Sequence, residues 1–244
     1  MHRFYIESSP AADGSFLLSP EDARHAVTVL RLRPGQHIEA VLSGEIHDAE
    51  ILSTDTRDVR IRLLSVLPSR EPSLSVTLFQ GLPKADKMDL IVQKATELGV
   101  VRIVPLVMSR CVVRLDPKDI PRRLDRWNKI AREAGKQSGR CVIPEVAAPV
   151  MLRDLPRYSP LPESSVVLWE EASGRGPLAF RNDHSSLSSL GVLIGPEGGI
   201  EKEEVDLLAA AGFIPLTLGK RILRTETAGL AAVAAFMGLY GEME

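Results

Sequence analysis

Cysteine and histidine are scarce in this chain of 244 residues, which contains two cysteines and five histidines. Cys111 and Cys141 are too few for a disulfide framework, and they lack the spacing of a zinc site. The histidines are scattered without the spacing of metal ligands, at His2, His25, His37, His47 and His184. We therefore expect no metal ion, and we interpret both cysteines as small apolar side chains of the interior.

Long apolar runs are also absent, and no apolar stretch of the sequence is long enough to cross a bilayer. The first ten residues, MHRFYIESSP, lack the basic and then apolar pattern of a secretory signal. We therefore expect a cytoplasmic protein that does not bind a membrane. Its composition, 44% hydrophobic and 25% charged, is that of an ordinary globular protein with one large domain or two small ones.

The formal net charge of −2 hides a basic segment. Residues 102–140 contain eleven Lys and Arg against four Asp and Glu, a balance of +7, so the remainder carries −9. A helix predicted over 121–140 would carry a positive stripe, which Arg110 and Arg114 precede. The stripe consists of Arg122, Arg126, Lys129, Lys136 and Arg140. Such a pattern is typical of a solvated helix face or of a surface that contacts nucleic-acid phosphates.

The pattern of apolar residues changes near residue 70. Before it, the runs RFYI, HIEAVL, IHDAEIL and VRIRLLSV predict strands, and a helix is predicted after Ser19 with Pro20 and Asp22 in a capping pattern. The stretch LPSREPS is the best linker. After it, strands and helices alternate, which indicates an α/β layer with a largely parallel sheet. We predict a small β-barrel or sandwich over 1–70 and an α/β domain over 71–244.

A glycine-rich loop follows a predicted strand in LGVLIGPEGGIEKEE. Its acids suit the dipole of the next helix but would repel phosphate. They are Glu197, Glu201, Glu203 and Glu204. The loop has neither the Lys-Ser/Thr of a Walker A loop nor the glycine spacing of a dinucleotide site. It suits a ligand that is neutral or cationic at the contact, or it is only a tight strand-to-helix turn capped by acids.

A second glycine turn, in LTLGKRILRTETA, precedes an alanine-rich helix that Thr225 would cap. Turns at the carboxyl ends of parallel strands meet at one edge of the sheet, where α/β sheets bind ligands. We therefore expect both turns to line one site.

The segments IGPEGGIEKEEV and LGKRILRTETAGLAA resemble the cofactor site of the SPOUT methyltransferases. More narrowly, the chain resembles the RsmE-type enzymes, which methylate N3 of a uridine in 16S ribosomal RNA. The segments HAVTVLRLRPG, KADKMDLIVQKATELGV, SRCVVR and RWNKIAREAGKQSGRCVIPEV extend this resemblance over nearly the whole chain. It implies a PUA-like, RNA-binding β-barrel before a trefoil-knotted α/β domain. It also implies S-adenosylmethionine as cofactor and a homodimer that acts on rRNA, within the small ribosomal subunit.

The resemblance also assigns residues to the cofactor. They are Leu168, Trp169, Glu170, Ile194, Gly195, Pro196, Glu197, Gly198, Gly199, Leu218, Gly219, Ile222, Leu223, Arg224, Thr225, Thr227 and Ala228. Trp169 departs from the family pattern and could instead be a core residue. In the barrel, His25, Arg31 and Arg33 match the family's RNA-binding signature.

Methyl transfer requires an oriented donor and acceptor more than a nucleophilic side chain. N3 of uridine carries a proton at neutral pH, so this proton must be removed or the resulting anion stabilised. Arg224 is our candidate for stabilising the anion and Glu226 for the base, although Glu226 also suits a first-turn helix acid; Glu197 is a weaker base candidate. The apolar helix TAGLAAVAAFMGLY is expected at the dimer interface.

Three other functions are alternatives to this one. The first is a related methyltransferase that acts on a different base or RNA. The second is an RNA-binding protein that has lost catalysis, against which the two intact glycine turns argue. The third is a dinucleotide-dependent dehydrogenase, for which the glycine spacing is missing.

Overall fold

The chain folds into two compact units in the computed structural model, which describes residues 2–55 and 58–243. The first unit consists of the described residues up to Glu71 together with 139–142, and the second consists of 72–138 and the described residues from Ile143 onwards. The predicted division of the chain at a single boundary near residue 70 does not include the return of residues 139–142 to the first unit. Within the described part of the chain, every helix is too short or too polar to cross a membrane.

The first unit is built on a five-stranded sheet. Its strands are β1 (Arg3–Tyr5), β2 (Phe16–Leu17), β3 (His37–Leu42), β4 (Glu45–Asp55) and β5 (Asp58–Val66). Their order is β1-β3-β4-β5-β2, with β1 parallel to β3 and the other pairs antiparallel. Four of these strands coincide with the predicted runs, and the short edge strand β2 is an addition to them.

One short helix, α1 (Pro20–Arg24), lies in the first unit and continues into a π-helical turn over His25–Val29. The hydroxyl of Ser19 accepts a hydrogen bond from the N–H of Asp22 at 3.1 Å, as the capping pattern predicts. Helix and sheet enclose an apolar core that includes Phe4, Ile38 and Ile61.

The second unit is built on a parallel sheet. Its strands are β6 (Ser75–Gly81), β7 (Arg102–Val107), β8 (Glu145–Val146), β9 (Val150–Met151), β10 (Ser164–Leu168), β11 (Ser189–Ile194) and β12 (Phe213–Leu216). Their order is β12-β10-β11-β6-β7-β8, β9 pairs with β7, and each of these pairings is parallel. The prediction of an α/β fold with a largely parallel sheet is confirmed.

Helices cover both faces of the parallel sheet. They are α2 (Lys87–Glu97), α3 (Ile120–Ser138), α4 (Pro177–Asp183), α5 (Lys202–Ala210) and α6 (Thr225–Leu239), with short 3₁₀ turns at Pro117–Asp119 and Leu152–Arg157. On one face, α2, α3, α4 and α6 pack around Leu78 and Val166. On the other, α5 and the second 3₁₀ turn pack around Phe79 and Val167. Successive strand residues point to opposite faces, and both faces are apolar because both are covered.

Four neighbouring strands, β12, β10, β11 and β6, bring their carboxyl ends to one edge of this sheet. Leu168 at the end of β10 pairs with Ile194 on one side and with Leu216 on the other, and Ile194 pairs in turn with Gln80. The segments that follow these strands are therefore neighbours, as the argument from the two glycine turns predicts.

Candidate functional site at the edge of the parallel sheet

A cavity of about 460 Å³ opens at the carboxyl edge of the parallel sheet. It is lined by residues 168–170, 194–199 and 217–225, together with Lys87 and Ala228. These segments follow β10, β11 and β12 or begin the helices α2 and α6. The volume lies in the range of small-molecule binding sites.

The first glycine turn, residues 195–199, lies very close to neighbouring segments of the chain. A Cβ atom on Gly198 would lie 2.8 Å from the Cβ of Arg110 and 2.9 Å from its carbonyl oxygen. Gly199 has a φ of +77° and faces the carboxylate of Glu170, so a side chain there would be both strained and obstructed. Backbone rather than side chains therefore forms this part of the cavity wall.

Two of the acids that follow the first glycine turn, Glu201 and Glu204, are engaged within the protein. Glu201 and Glu204 form a capping box at the start of α5, in which each side chain accepts from the other residue's backbone N–H. Glu204 also accepts hydrogen bonds from the N–H of Ser109 at 2.8 Å and from its hydroxyl at 3.0 Å. Glu201 lies 3.6 Å from the guanidinium of Arg110. The number of acids is therefore a property of the scaffold and does not by itself indicate a cationic ligand.

Lys87 joins the two glycine turns through two ion pairs. Its Nζ lies 3.0 Å from Oε1 of Glu197 in the first turn and 3.1 Å from Oε2 of Glu226 at the start of α6. Glu197 also accepts a hydrogen bond from the N–H of Lys84 at 3.0 Å. The two carboxylates raise the pKa of Lys87 above its ordinary value. One cation therefore contacts a carboxylate from each side of the cavity.

Both carboxylates beside Lys87 ionise more readily than usual. Burial acts to raise the pKa of Glu197, but the hydrogen bonds from Lys87 and from backbone N–H groups outweigh it, so this pKa lies below its ordinary value. For Glu226, burial is likewise outweighed by its own backbone N–H, by Lys87 and by the charge of Arg224, and its pKa is also lowered. Two carboxylates and one ammonium leave this cluster with one net negative charge at neutral pH.

Thr225 links the two turns a second time. The prediction that Thr225 caps the last helix is wrong, because α6 begins at Thr225 and Arg224 occupies the N-cap position. The buried hydroxyl of Thr225 instead donates to the carbonyl oxygen of Gly195 at 2.6 Å and accepts from Nε2 of Gln80 at 2.9 Å. The hydroxyl turns inward because both of these buried groups need a partner.

Trp169 combines its two proposed roles. It lines the cavity, and it is also half-buried against the core on the α5 side of the sheet. Its indole Nε1 is shielded from solvent and has no hydrogen-bond partner within the described residues. A buried donor without a partner beside a cavity is a group that a bound ligand would satisfy.

The cavity lining includes all but one of the predicted cofactor positions. The exception is Thr227, which is exposed on α6 outside the lining. Four lining residues are absent from the prediction, namely Lys87, Thr217, Lys220 and Arg221. Lys87 carries a signal in the sequence, because a lysine in the first turn of a helix opposes the helix dipole unless a carboxylate compensates for it. For Lys220 and Arg221 the signal is a pair of cations inside a glycine turn.

The two candidate catalytic residues occupy different positions. Arg224 lines the cavity and is exposed, and its guanidinium forms no ion pair within the described part of the chain. Glu226 is not among the lining residues, and its carboxylate is held by Lys87. This favours the interpretation of Glu226 as a first-turn helix acid over that of a base.

Most of the predicted RNA-binding residues are exposed. In the first unit these are His25, Arg31 and Arg33, and in the second unit Arg110, Arg114, Arg122, Arg126 and Lys129. Lys136 is half-buried on α3. Arg126 is already paired with acids of its own unit, Asp86 at 3.5 Å and Asp89 at a shorter distance. Exposure alone therefore does not make the whole stripe available to phosphates.

The assignment of Arg140 to the exposed stripe is wrong. Helix α3 ends at Ser138, and Arg140 belongs to the first unit, where it is only 5% exposed. Its Nη2 lies 2.7 Å from Oε2 of Glu71. A guanidinium that is buried against a carboxylate is not available to RNA, because removing it would leave an unpaired charge inside the protein.

The sequence matches two families in adjacent segments. Residues 70–237 match the family described as RNA methyltransferase domain, and residues 18–64 match the family described as RNA methyltransferase PUA domain. Ribosomal RNA small subunit methyltransferase E of Bacillus subtilis (strain 168) is 36% identical over an alignment of 244 positions, which covers 96% of this chain and 95% of that protein. The protein of the same name from Aquifex aeolicus (strain VF5) is 31% identical, with coverage of 97% and 99%.

Solved structures resemble the whole chain as well. The crystal structure of a ribosomal RNA small subunit methyltransferase E from Neisseria gonorrhoeae, bound to S-adenosyl methionine, is 33% identical, with a TM-score of 0.85 and full coverage of both chains. A Legionella pneumophila protein described as a methyltransferase, in complex with the bound cofactor SAM, is also 33% identical, with a TM-score of 0.81 and coverage of 97% and 96%.

Proposed function

Because the chain belongs to the ribosomal RNA small subunit methyltransferase E family, we propose that it transfers a methyl group from S-adenosylmethionine to N3 of one uridine in 16S ribosomal RNA. Relatives that match over nearly the full length of the chain support this proposal. The observation that carries it is the cavity between the two glycine turns. The carboxyl edge of a parallel sheet is where α/β folds bind ligands.

The residues around the cavity fit S-adenosylmethionine. The backbone of 195–199 and of 218–224 would hold it, and the first of these turns requires glycine because a Cβ atom on Gly198 or Gly199 would collide with Arg110 or Glu170. The cluster of Lys87, Glu197 and Glu226 has a net negative charge that complements a cationic sulfur. The indole N–H of Trp169, which has no partner in the described part of the chain, offers a hydrogen-bond donor.

When bound, S-adenosylmethionine supplies an electrophilic methyl group on a cationic sulfur, so the chain needs no nucleophilic side chain. The half-buried Cys111 fits this view, because burial raises the pKa of its thiol and keeps it protonated at neutral pH. Burial raises the pKa of Cys141 in the same way. The chain's own task is to orient the uridine and to stabilise it as it loses the N3 proton.

We assign Arg224 to the negative charge that develops on the uridine. As N3 gives up its proton to water, negative charge would spread onto the two carbonyl oxygens that flank N3. This charge would be lost when N3 bonds to the methyl carbon and the bond between that carbon and the sulfur breaks. The guanidinium of Arg224 lies at the cavity and has no ion pair among residues 2–55 and 58–243, so it can donate a hydrogen bond to one of these two oxygens. Glu226 supports the site from outside the lining.

The RNA would contact exposed cations of each unit. In the first unit these are His25, Arg31 and Arg33, and in the second Arg110, Arg114, Arg122, Arg126 and Lys129, together with the half-buried Lys136. We add Lys220 and Arg221, which line the cavity and form no ion pair within the described residues. Each phosphate that such a cation neutralises increases the salt dependence of binding.

A homodimer through α6 is part of the same proposal. Glu226 is the one charged residue in this helix of 15 residues. Leu230, Ala231, Ala234 and Ala235 remain only half-buried, so an apolar surface is left that a second copy would cover. Light scattering should give a mass twice that of the 26.7 kDa chain, and a monomer would contradict this. The trefoil knot and a cytoplasmic location, where ribosomes are assembled, complete the proposal.

The test is methylation of small subunits, and of free 16S rRNA, from a strain that lacks this gene. After incubation with the protein and S-adenosylmethionine, mass spectrometry should find one N3-methyluridine that is absent before incubation. A methyl group on another base would instead support a related methyltransferase. Cofactor binding without methylation of any RNA would support a binding protein, and calorimetric binding of NAD in place of S-adenosylmethionine would support the dehydrogenase.

A further inference from the structure

Lys87 is the one residue that forms ion pairs with both sides of the cavity, within the described part of the chain. Its ammonium contacts Glu197 at 3.0 Å and Glu226 at 3.1 Å, and the lysine itself lines the cavity. Because both carboxylate oxygens lie so near the same nitrogen, they are at most about 6 Å apart, a distance at which like charges oppose each other's ionisation. The lysine therefore separates two carboxylates that would otherwise repel.

The other charged residues that line the same cavity are Glu170, Lys220, Arg221 and Arg224. Arg224 acts on Glu226 through its charge, and the thiol of Cys111 lies near enough to Glu197 to feel its charge. Lys84 contacts Glu197 only through its backbone N–H, while its own side chain is exposed. Since arginine stays charged and the thiol stays neutral between about pH 5 and pH 8, Lys87 controls whether the two carboxylates can both be ionised there.

We propose that Lys87 is a positioning residue that keeps Glu197 and Glu226 ionised together and so holds the two glycine turns around a cationic cofactor. The inference rests on the proposed function, because the cation to be held is S-adenosylmethionine. It assigns the lysine no contact with the methyl group or the uridine. Its role is to keep the net charge of the cluster formed by Lys87, Glu197 and Glu226 at −1 over the physiological pH range.

The consequence is a change in how cofactor affinity depends on pH. In the natural protein both carboxylates remain ionised as the pH falls from about 8 to about 5, because the ammonium beside them opposes their protonation. In Lys87→Met the two carboxylates repel, so one of them takes up a proton within this range and the cavity loses negative charge. Affinity for the cation then falls as the pH falls.

The experiment is calorimetric titration of S-adenosylmethionine into the full-length protein at several pH values. At each pH the dissociation constant of Lys87→Met is divided by that of the natural protein, so that titration of the ligand itself cancels. We expect this ratio to increase about threefold between pH 8 and pH 5, because a carboxyl group whose pKa lies about one pH unit above the usual value for glutamate is about two-thirds protonated at pH 5. A ratio that is constant with pH would overturn the inference.

Three variants serve as controls. Lys87→Arg retains the cation and should restore a constant ratio. Lys84→Met removes a neighbouring cation but keeps the backbone N–H that binds Glu197, so its ratio should also stay constant. The double variant Lys87→Met/Glu226→Gln leaves one carboxylate without a like-charged neighbour and should lose the pH dependence. A double variant that keeps the full pH dependence of Lys87→Met would contradict the inference.

Failure of the inference and failure of the proposed function give different results. If the natural protein does not bind S-adenosylmethionine, the proposed function fails whatever Lys87 does. If the natural protein binds the cofactor and methylates rRNA but the ratio does not vary with pH, only the role of Lys87 fails. Circular dichroism of each variant identifies a loss of folding. If Lys87→Met does not fold, the pH dependence of cofactor affinity in Lys87→Arg and in the double variant tests the inference instead.

Discussion

The two glycine turns of the cavity use their charged residues in opposite ways. In the first turn and the helix that follows, Glu197 is paired with Lys87, Glu201 and Glu204 cap the helix, and Glu204 also binds Ser109. In the second turn, Lys220, Arg221 and Arg224 line the cavity without an ion pair within the described residues. The acids therefore maintain the scaffold, whereas the cations remain available to a ligand. Whether a charged side chain has an internal partner is more informative than its sign.

The largest expected effect is on the rate of methyl transfer when Arg224, the proposed partner of the uridine anion, is replaced. Arg224→Ala should lower the rate of methyl transfer by about 100- to 1,000-fold, the usual loss when a donor to a developing anion is removed. Cofactor affinity should change much less, because Arg224 acts on the uridine. Single-turnover methylation and calorimetry measure the two quantities separately. Equal losses in both would mean that Arg224 only supports the cavity wall.

A methyl group added to the first turn should disturb the cofactor instead. Gly198→Ala places a Cβ 2.8 Å from the Cβ of Arg110, so the turn must shift. Overpacking of this kind costs about 1–3 kcal/mol, which corresponds to roughly 5- to 150-fold in cofactor affinity if the shift is confined to the loop. Gly212→Ala is the control, since it strains a turn with open space around it and should leave calorimetric affinity unchanged. Equal losses in both variants would contradict this view.

The link between the turns should contribute to stability. Thr225→Val removes the hydroxyl shared by Gln80 and Gly195 and leaves two buried groups without this partner. The expected cost is about 2 kcal/mol, or a melting temperature lowered by about 4–8 °C. Thr225→Ser keeps the hydroxyl and should melt near the natural protein in a calorimetric scan. If the melting temperature of Thr225→Val is no lower than that of Thr225→Ser, the turns are not linked through the Thr225 hydroxyl.

The smallest expected effect concerns the exposed cations of the second turn. Arg221→Met should weaken RNA binding severalfold and reduce the slope of log K against log salt by about 0.7–0.9, the value for one lost phosphate contact. Lys202→Met is a matched control, because this lysine is paired with Asp206 on α5 outside the cavity lining. Fluorescence anisotropy with an rRNA fragment at several salt concentrations measures the slope. An unchanged slope for Arg221→Met would exclude a phosphate contact.

The sequence predicts the α/β sheet and the cavity-lining turns because these depend on local patterns. Apolar runs such as β6 and β11 and the glycines between strand and helix are visible within about fifteen residues. Lys87 is missed because its partners are 110 and 139 residues away along the chain. Thr225 is misassigned because a threonine before an apolar helix suits a cap equally well.

The error at Arg140 has a different cause. Helical spacing continues past Ser138 in the sequence, but the helix ends there and the next four residues join the first unit. Periodicity cannot indicate where tertiary contacts override it, because those contacts are made with residues from the beginning of the chain. Arg140 forms its ion pair with Glu71, which is too far away in the sequence for any local pattern to predict the contact.

The segment 139–142 limits how this protein can be taken apart or recombined. Residues up to Glu71 place buried groups against that segment, since the hydroxyl of Tyr5 donates to the carbonyl oxygen of Arg140 at 2.7 Å and Glu71 pairs with its guanidinium. A fragment that ends at Glu71 lacks residues 139–142, so the Tyr5 hydroxyl and the Glu71 carboxylate would be exposed to solvent. In a chimera of two related proteins joined after Glu71, residues 139–142 would come from the other protein. Exchanging the first unit at the linker would therefore also require exchanging residues 139–142, some 70 residues further along the chain.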